Sequence, residues 1–323
     1  MFRVFVTRPI PACGLALLKK QPGVIVDVYK KDMIIPRREL LRRVKGASAI
    51  LSILTDCIDA QVMEAAGSEL KIIANYAVGF DNIDLQEATK RKIVVTNAPS
   101  DSVNESVAEH AIALMFALSH RIVEADNYTR SGKYKFWSPM CLLGANLAGK
   151  TVGIIGAGRI GEHVIKRLRD GFDMKIFYST PKRKPELERK YRAIFKNKRE
   201  LLHEADFVSL HVPLLPSTRH LISFKEFKVM KKTAFLINTA RGPIVDELAL
   251  VHALQTCQIA GAGLDVCEYE PHIPSVLKKM PNIVLTPHIA SSTIEARDDM
   301  SLVTAKNILA CFNNQKIPNR VSL

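Results

Sequence analysis

Four short stretches of this chain carry residue types whose spacing could do chemistry. Gly156-Ala157-Gly158-Arg159-Ile160-Gly161 is a glycine-rich turn that follows at once on the β-branched run Thr151-Val152-Gly153-Ile154-Ile155. Ile237-Asn238-Thr239-Ala240-Arg241-Gly242 sets an arginine just past a second apolar run. Gly263-Leu264-Asp265-Val266-Cys267-Glu268-Tyr269-Glu270-Pro271 puts acids past a third, and Leu285-Thr286-Pro287-His288-Ile289-Ala290 puts a histidine past a fourth. In the glycine turn, Gly156 permits the tight bend, Gly158 lets the backbone approach a pyrophosphate, and Gly161 lets the next helix pack closely on the strand. The amino terminus of that helix offers free N–H groups and a partial positive charge to phosphates. An arginine can clamp a carboxylate bidentately. A histidine can pass a proton near neutral pH, and a carboxylate can orient it and stabilise its charged form. Any one of these residues alone has a plain structural reading. Three at strand ends, on the edge that carries the glycine turn, point to a single site, because doubly wound sheets bind ligands beyond the carboxyl ends of their strands.

The elements that must hold these groups follow from periodicity. Around the glycine turn the chain reads strand, turn, helix, strand: Val164, Ile165 and Leu168 give helical spacing over 162–170, Gly171 is expected to end that helix, and 174–178 is the next strand. Upstream, strands at 3–7, 24–29, 49–53, 71–74 and 93–96 alternate with helical patterns at 13–20, 37–44, 59–66 and 84–91, with Asp59 as a cap. The longest helical pattern is 102–123, with Val107, Ala111, Leu114 and Leu118 in one apolar stripe. An irregular segment, 127–146, follows it and holds the single tryptophan, Trp137. After a basic loop come strands at 207–210, 234–238, 259–264 and 283–285, a helix at 246–256 and a last helix at 292–312. Strands alternating with helices predict an α/β protein of two doubly wound, Rossmann- or flavodoxin-like parallel-sheet domains.

Composition bounds the function. A chain of 323 residues, 47% hydrophobic and 24% charged, has room for two cores. No run of about 18 apolar residues could cross a membrane, and no membrane role is expected. The six cysteines are scattered without a C-x-x-C pair, which fits free thiols in the cytoplasm. The histidines make no metal-binding pattern, so no metal is expected. The net charge of +14 is spread along the chain without interleaved aromatics. It reads as solvated helix faces that also attract anions, not as a nucleic-acid surface.

These four stretches, with Asn75-Tyr76-Ala77-Val78-Gly79-Phe80-Asp81-Asn82-Ile83-Asp84 and the helix start Ser106-Val107-Ala108-Glu109-His110, resemble the D-2-hydroxyacid dehydrogenase family. Within it the pattern is most similar to the glyoxylate/hydroxypyruvate reductases, and the likeness runs over nearly the whole chain. The resemblance implies a discontinuous substrate domain, 1–100 plus 291–323, and a dinucleotide-binding domain at 101–290. It implies a homodimer built on the long helix and the segment after it, and hydride transfer between a nicotinamide cofactor and a small anionic 2-oxo acid. Under it, Arg241 binds the substrate, His288 is the acid–base group and Glu270, rather than Glu268, pairs with it. Ile53, Leu54, Ala77, Val78 and Gly79 line the substrate site, with the amides of Val78 and Gly79 on the carboxylate. Trp137 occupies a place from which, in relatives, a tryptophan reaches the neighbouring subunit's site. The cofactor is lined by Val107, Gly156, Ala157, Gly158, Arg159, Ile160, Gly161, His211, Val212, Pro213, Thr239, Ala240, Arg241, Asp265, His288 and Ala290. Two other readings share the fold: a dinucleotide-sensing co-regulator, and a dehydrogenase acting on another small anion such as formate.

The choice of cofactor turns on the end of the second strand of the glycine-turn unit. NAD-specific units place an acid there for the ribose hydroxyls. This chain has Ser179-Thr180-Pro181-Lys182-Arg183-Lys184 instead. Two hydroxyls and a basic cluster can hold a 2′-phosphate, so Ser179, Thr180, Lys182 and Arg183 predict NADP(H) as the preferred cofactor and NAD(H) as the alternative.

Overall fold

Short valine- and isoleucine-rich runs suit a pleated surface covered on both faces, and they form the strands. The computed structural model describes residues 1–321, so the last two residues of the expected 291–323 segment lie outside it. The chain divides into two compact units, one of Met1–Val103 with the chain from Ser292 onward, the other of Asn104–Ser291.

In the first unit, β1 (Phe2–Val6), β2 (Val24–Val28), β3 (Ala49–Ile53), β4 (Ile72–Tyr76) and β5 (Val94–Thr96) pair in parallel in the order β5-β4-β3-β1-β2. That is a flavodoxin-like order, with its switch point between β1 and β3. Ile53 closes β3 and Leu54 follows it, while Ala77, Val78 and Gly79 follow β4. A polar network fixes both turns. The Asn75 amide donates to the Gly79 carbonyl at 2.9 Å, Ser52 donates to Asn75 at 2.9 Å, and Asn82 donates to the carbonyls of Ile53 at 3.1 Å and Asp56 at 2.9 Å.

In the second unit, β6 (Thr151–Ile155), β7 (Lys175–Ser179), β8 (Ile194–Phe195), β9 (Phe207–Leu210), β10 (Phe235–Asn238), β11 (Gly261–Leu264) and β12 (Ile283–Leu285) form a parallel sheet in the order β12-β11-β10-β9-β6-β7-β8. The strand order reverses between β6 and β9, beside the glycine turn. Val164, Ile165, Leu168, Ala111 and Met115 pack one face, and Leu201, Leu202, Phe227 and Leu250 pack the other.

The structure corrects three boundaries. The expected 102–123 helix is Asp101–Ser119, followed by a separate helix, Ile122–Arg130. Arg121 turns left-handed (φ 53°), and the Ala145 amide caps the Ser119 carbonyl at 2.8 Å. A β-carbon on Gly144 would lie 2.2 Å from that carbonyl oxygen, so the returning chain sits where another helical turn would run. The segment expected to be irregular from 127 is therefore helical as far as Arg130. Gly171 does not end its helix, which is Arg159–Phe172 and closes on the left-handed Asp173 (φ 48°). Two helices also stand in the stretch read as a basic loop, Pro185–Tyr191 and Lys198–Glu204. Their charges obscure the apolar spacing of Leu187, Tyr191, Leu201 and Leu202, but Pro185 in a first turn and Asn197 as a cap were signals that could have found them.

Ile165 is fully buried on the helix after the glycine turn, so its truncation tests the core that holds the turn. Ile165→Ala should cost about 3 kcal/mol. Thermal unfolding should show this as a fall of roughly 5–10 °C in Tm. A change within about 1 °C would mean that the helix does not carry this core.

Candidate active site

The glycine turn is shaped by what surrounds it. Gly156 has φ +92°, and a β-carbon there would lie 2.6 Å from the His211 carbonyl oxygen. A β-carbon on Gly161 would lie 2.4 Å from the Gly156 carbonyl oxygen, so the helix meets the strand with no room for a side chain. Gly158 differs: open space lies where its β-carbon would be. It is also the N-cap of the Arg159–Phe172 helix, and among the described residues no side chain caps that helix. The first N–H groups of the helix are thus left to an outside acceptor, and the turn is bare where that acceptor would approach.

The loops after β10, β11 and β12 lie along the same edge. His288 Nδ1 and Glu270 Oε2 are 2.8 Å apart, and the other Glu270 oxygen accepts the Cys267 amide at 2.9 Å. Burial pushes the Glu270 carboxyl up. The hydrogen bond and charge of His288, the Cys267 amide and the charge of Arg241 outweigh it, and the group lies below the ordinary glutamate value of 4.5. Arg241 opens the loop after β10. Its backbone carbonyl accepts from the Asn238 amide at 2.9 Å, and Asn238 accepts in turn from the Ala240 amide at 3.1 Å, so Asn238 shapes the turn that presents the guanidinium. A β-carbon on Gly242 would lie 1.9 Å from the Cys267 carbonyl oxygen, which puts the Arg241 and Glu270 loops backbone to backbone.

Asp265, at the end of β11, is fully enclosed. One oxygen accepts from the Thr286 hydroxyl at 2.6 Å and the Ile289 amide at 2.8 Å, and the other from the Ala290 amide at 2.8 Å. Its backbone carbonyl takes the His288 amide at 2.8 Å. The residue that the resemblance puts beside the nicotinamide thus also anchors the His288 segment.

Two other titratable groups nearby, His211 and Cys267, are unsuited to proton transfer. Burial drops His211 to about 4, so this ring, bonded to Ser209 at 2.8 Å, stays neutral at working pH. Burial and three surrounding acids push the Cys267 thiol up to about 12. Between His211 and His288, only His288 has a carboxylate partner.

On the cofactor side, Ser179 ends β7 and the Thr180 hydroxyl bonds the Lys182 carbonyl at 2.7 Å. The Arg183 guanidinium is held bidentately by Glu188 at 2.7 and 2.8 Å, and Glu188 also takes the Tyr178 hydroxyl at 2.7 Å. Sequence reasoning missed Glu188, an acid inside the stretch read as a basic loop. Of the two cations named for a 2′-phosphate, Lys182 is the one whose ammonium makes no ion pair among the described residues. Val107 is buried on the Asp101–Ser119 helix; Val212 and Pro213 follow β9, and Thr239 and Ala240 follow β10. Among the described residues the Thr239 hydroxyl has no hydrogen-bond partner. Trp137 is exposed, with Phe136, Met140 and Leu143 exposed near it in sequence.

The uncapped helix, the bare Gly158 and the Thr239 hydroxyl, unpartnered among the described residues, fit a bound dinucleotide, which the turn and the strand ends beside it would hold. Comparison with known proteins agrees. The family model described as D-isomer specific 2-hydroxyacid dehydrogenase, NAD binding domain, matches residues 112–290. A glyoxylate reductase of Thermococcus litoralis is 47% identical over 99% of this chain and 96% of its own length. One of Pyrococcus horikoshii is 48% identical over 98% and 94%. The crystal structure of an NADPH-dependent glyoxylate/hydroxypyruvate reductase from Sinorhizobium meliloti, in complex with NADP and malonate, superposes with a TM-score of 0.85 at 30% identity, over 99% of this chain and 97% of that one.

His288→Ala should lower kcat by a factor of about 100 to 10,000, the usual cost of losing a general acid. A variant that keeps more than about a tenth of kcat assigns the proton to another group. Arg241→Ala should raise KM for the oxo acid as well.

Glu270→Gln gives a stability test with a defined sign. The folded carboxyl lies below its unfolded value, so it contributes stability that is fully present above 4.5 and lost as pH falls through the lower folded value. Urea unfolding should separate wild type from Glu270→Gln at pH 7, and the gap should narrow in acid. A gap that does not depend on pH would mean that ionisation of Glu270 is not what stabilises the pair.

Proposed function

Since the chain belongs to the D-isomer specific 2-hydroxyacid dehydrogenases, and so is an oxidoreductase that uses a nicotinamide dinucleotide, we propose that it reduces a short 2-oxo acid, glyoxylate or hydroxypyruvate, with NADPH as the preferred cofactor. The observation that carries the reading is the His288–Glu270 bond at 2.8 Å on the same sheet edge as Arg241 and the glycine turn. When bound, the cofactor supplies the hydride to the carbonyl carbon of the substrate. The Arg241 guanidinium takes the substrate's carboxylate and draws electron density toward the carbonyl oxygen. His288 donates the proton to that oxygen, and Glu270 keeps the ring oriented and stabilises its charged form. The proton is regained from solvent before the next turnover. In the oxidative direction His288 removes the hydroxyl proton.

The resemblance assigns the substrate carboxylate to the amides of Val78 and Gly79, and the uncharged Ile53 and Leu54 that it names suit a short substrate. The names of the relatives at 47% and 48% identity support glyoxylate as the first substrate to test. The six cysteines are free thiols, in keeping with a cytoplasmic enzyme. The exposed Phe136, Trp137, Met140 and Leu143 support a homodimer in which a second copy covers them.

The NADPH preference rests on Ser179 in place of an acid, with Lys182 as the phosphate partner and Arg183 available only by leaving Glu188. The kcat/KM for NADPH should exceed that for NADH in glyoxylate reduction at one fixed ionic strength, because phosphate contacts are screened by salt. Ser179→Asp should move the ratio toward NADH, since it restores a ribose acceptor and repels the phosphate. A wild-type ratio at or below one rejects the preference, and absence of turnover with both glyoxylate and hydroxypyruvate rejects the substrate.

A further inference from the structure

We infer that the Asp101–Ser119 helix positions the proton donor: Ser106 and His110, one helical turn apart, grip the two ends of the Thr286–Ala290 segment that carries His288. The Ser106 hydroxyl donates to the Ala290 carbonyl at 2.7 Å. At the other end, His110 Nε2 lies 2.9 Å from the Thr286 hydroxyl oxygen and 3.5 Å from Asp265 Oδ1. The Thr286 hydroxyl spends its own hydrogen on Asp265 at 2.6 Å, so the hydrogen between it and His110 must come from the ring. That fixes the tautomer, with the proton on Nε2.

Residues i and i+4 share one helix face, so a single rigid surface holds both ends of the segment. The segment needs holding. His288 sits at φ +56°, a conformation that a side-chain-bearing residue adopts only when its surroundings impose it. Asp265 binds the segment from the strand side, through the amides of His288, Ile289 and Ala290. Ser106 and His110 bind it from the helix side, and they take the two groups at its ends that the Asp265 amide contacts leave over. A misplacement of about 1 Å in a reacting group can cost a hundredfold in rate, and this is the error that a two-sided grip prevents.

The inference rests on His288 as the proton donor, which His288→Ala tests by itself. Its own test compares His110→Ala, His110→Gln, Ser106→Ala and Thr286→Val with wild type, using whichever oxo acid wild type turns over. The measured quantities are kcat, KM, NADPH affinity by fluorescence, and Tm. His110→Ala should lower kcat about tenfold or more while KM for the oxo acid and NADPH affinity stay near wild type. His110→Gln should recover most of kcat, because its amide keeps an N–H donor toward Thr286. His110→Ala and Thr286→Val break the same bond, so in the double variant their losses should not multiply. Ser106→Ala should lower kcat from the other end. The idea is overturned if a folded His110→Ala keeps wild-type kcat, if His110→Gln is as impaired as His110→Ala, or if the losses of His110→Ala and Thr286→Val multiply. If His110→Ala does not fold, wild-type kcat in Thr286→Val and Ser106→Ala overturns it.

Discussion

A carboxylate shut away from water must find hydrogen-bond donors or pay several kcal/mol in lost solvation. Asp265 finds three, from Thr286, Ile289 and Ala290, and all lie in the segment that carries His288. The end of β11 is thereby tied to the loop after β12, and the backbone of His288 is tied to the carbonyl of the same aspartate. Remove that anion and the amides of Ile289 and Ala290 face a void with no acceptor. The geometry of the His288–Glu270 pair, including the left-handed backbone of His288, depends on this one buried carboxyl group being satisfied.

The same economy separates the histidines of the second unit. His211, whose carbonyl crowds Gly156, loses its charge to burial. His288 stands a quarter exposed with a carboxylate at 2.8 Å. Two identical side chains near one edge thus have different chemistry because desolvation acts on one and a carboxylate pairs with the other.

Much of this was legible in the sequence because it depends on local pattern. The glycine turn, the β-branched strands and the motifs at Arg241, Glu270 and His288 each lie within a few residues. What escaped depends on partners distant in sequence or on helices that the charged pattern hid. The Ser119 helix end is set by Gly144 and Ala145 coming back across it, and the apolar spacing simply runs on through Arg121. Arg183 read as a free cation because Glu188 meets it only once the Pro185–Tyr191 helix forms. The enclosure of Asp265 and its bonds to the His288 segment span more than 20 residues, and no periodicity reports them.

The contact of Gly242 with Cys267 bears on how this edge can change over evolutionary time. A β-carbon at position 242 would fall 1.9 Å from a backbone oxygen, so no other residue is admissible without moving the loop after β11. The turn that presents Arg241 and the turn that presents Glu270 are therefore inherited as a pair. A recombination breakpoint between β10 and β11, or a library that diversifies one loop alone, would mate surfaces that no longer fit. New specificities should arise more readily elsewhere, at the exposed basic loop after β7, where side chains can be exchanged one at a time.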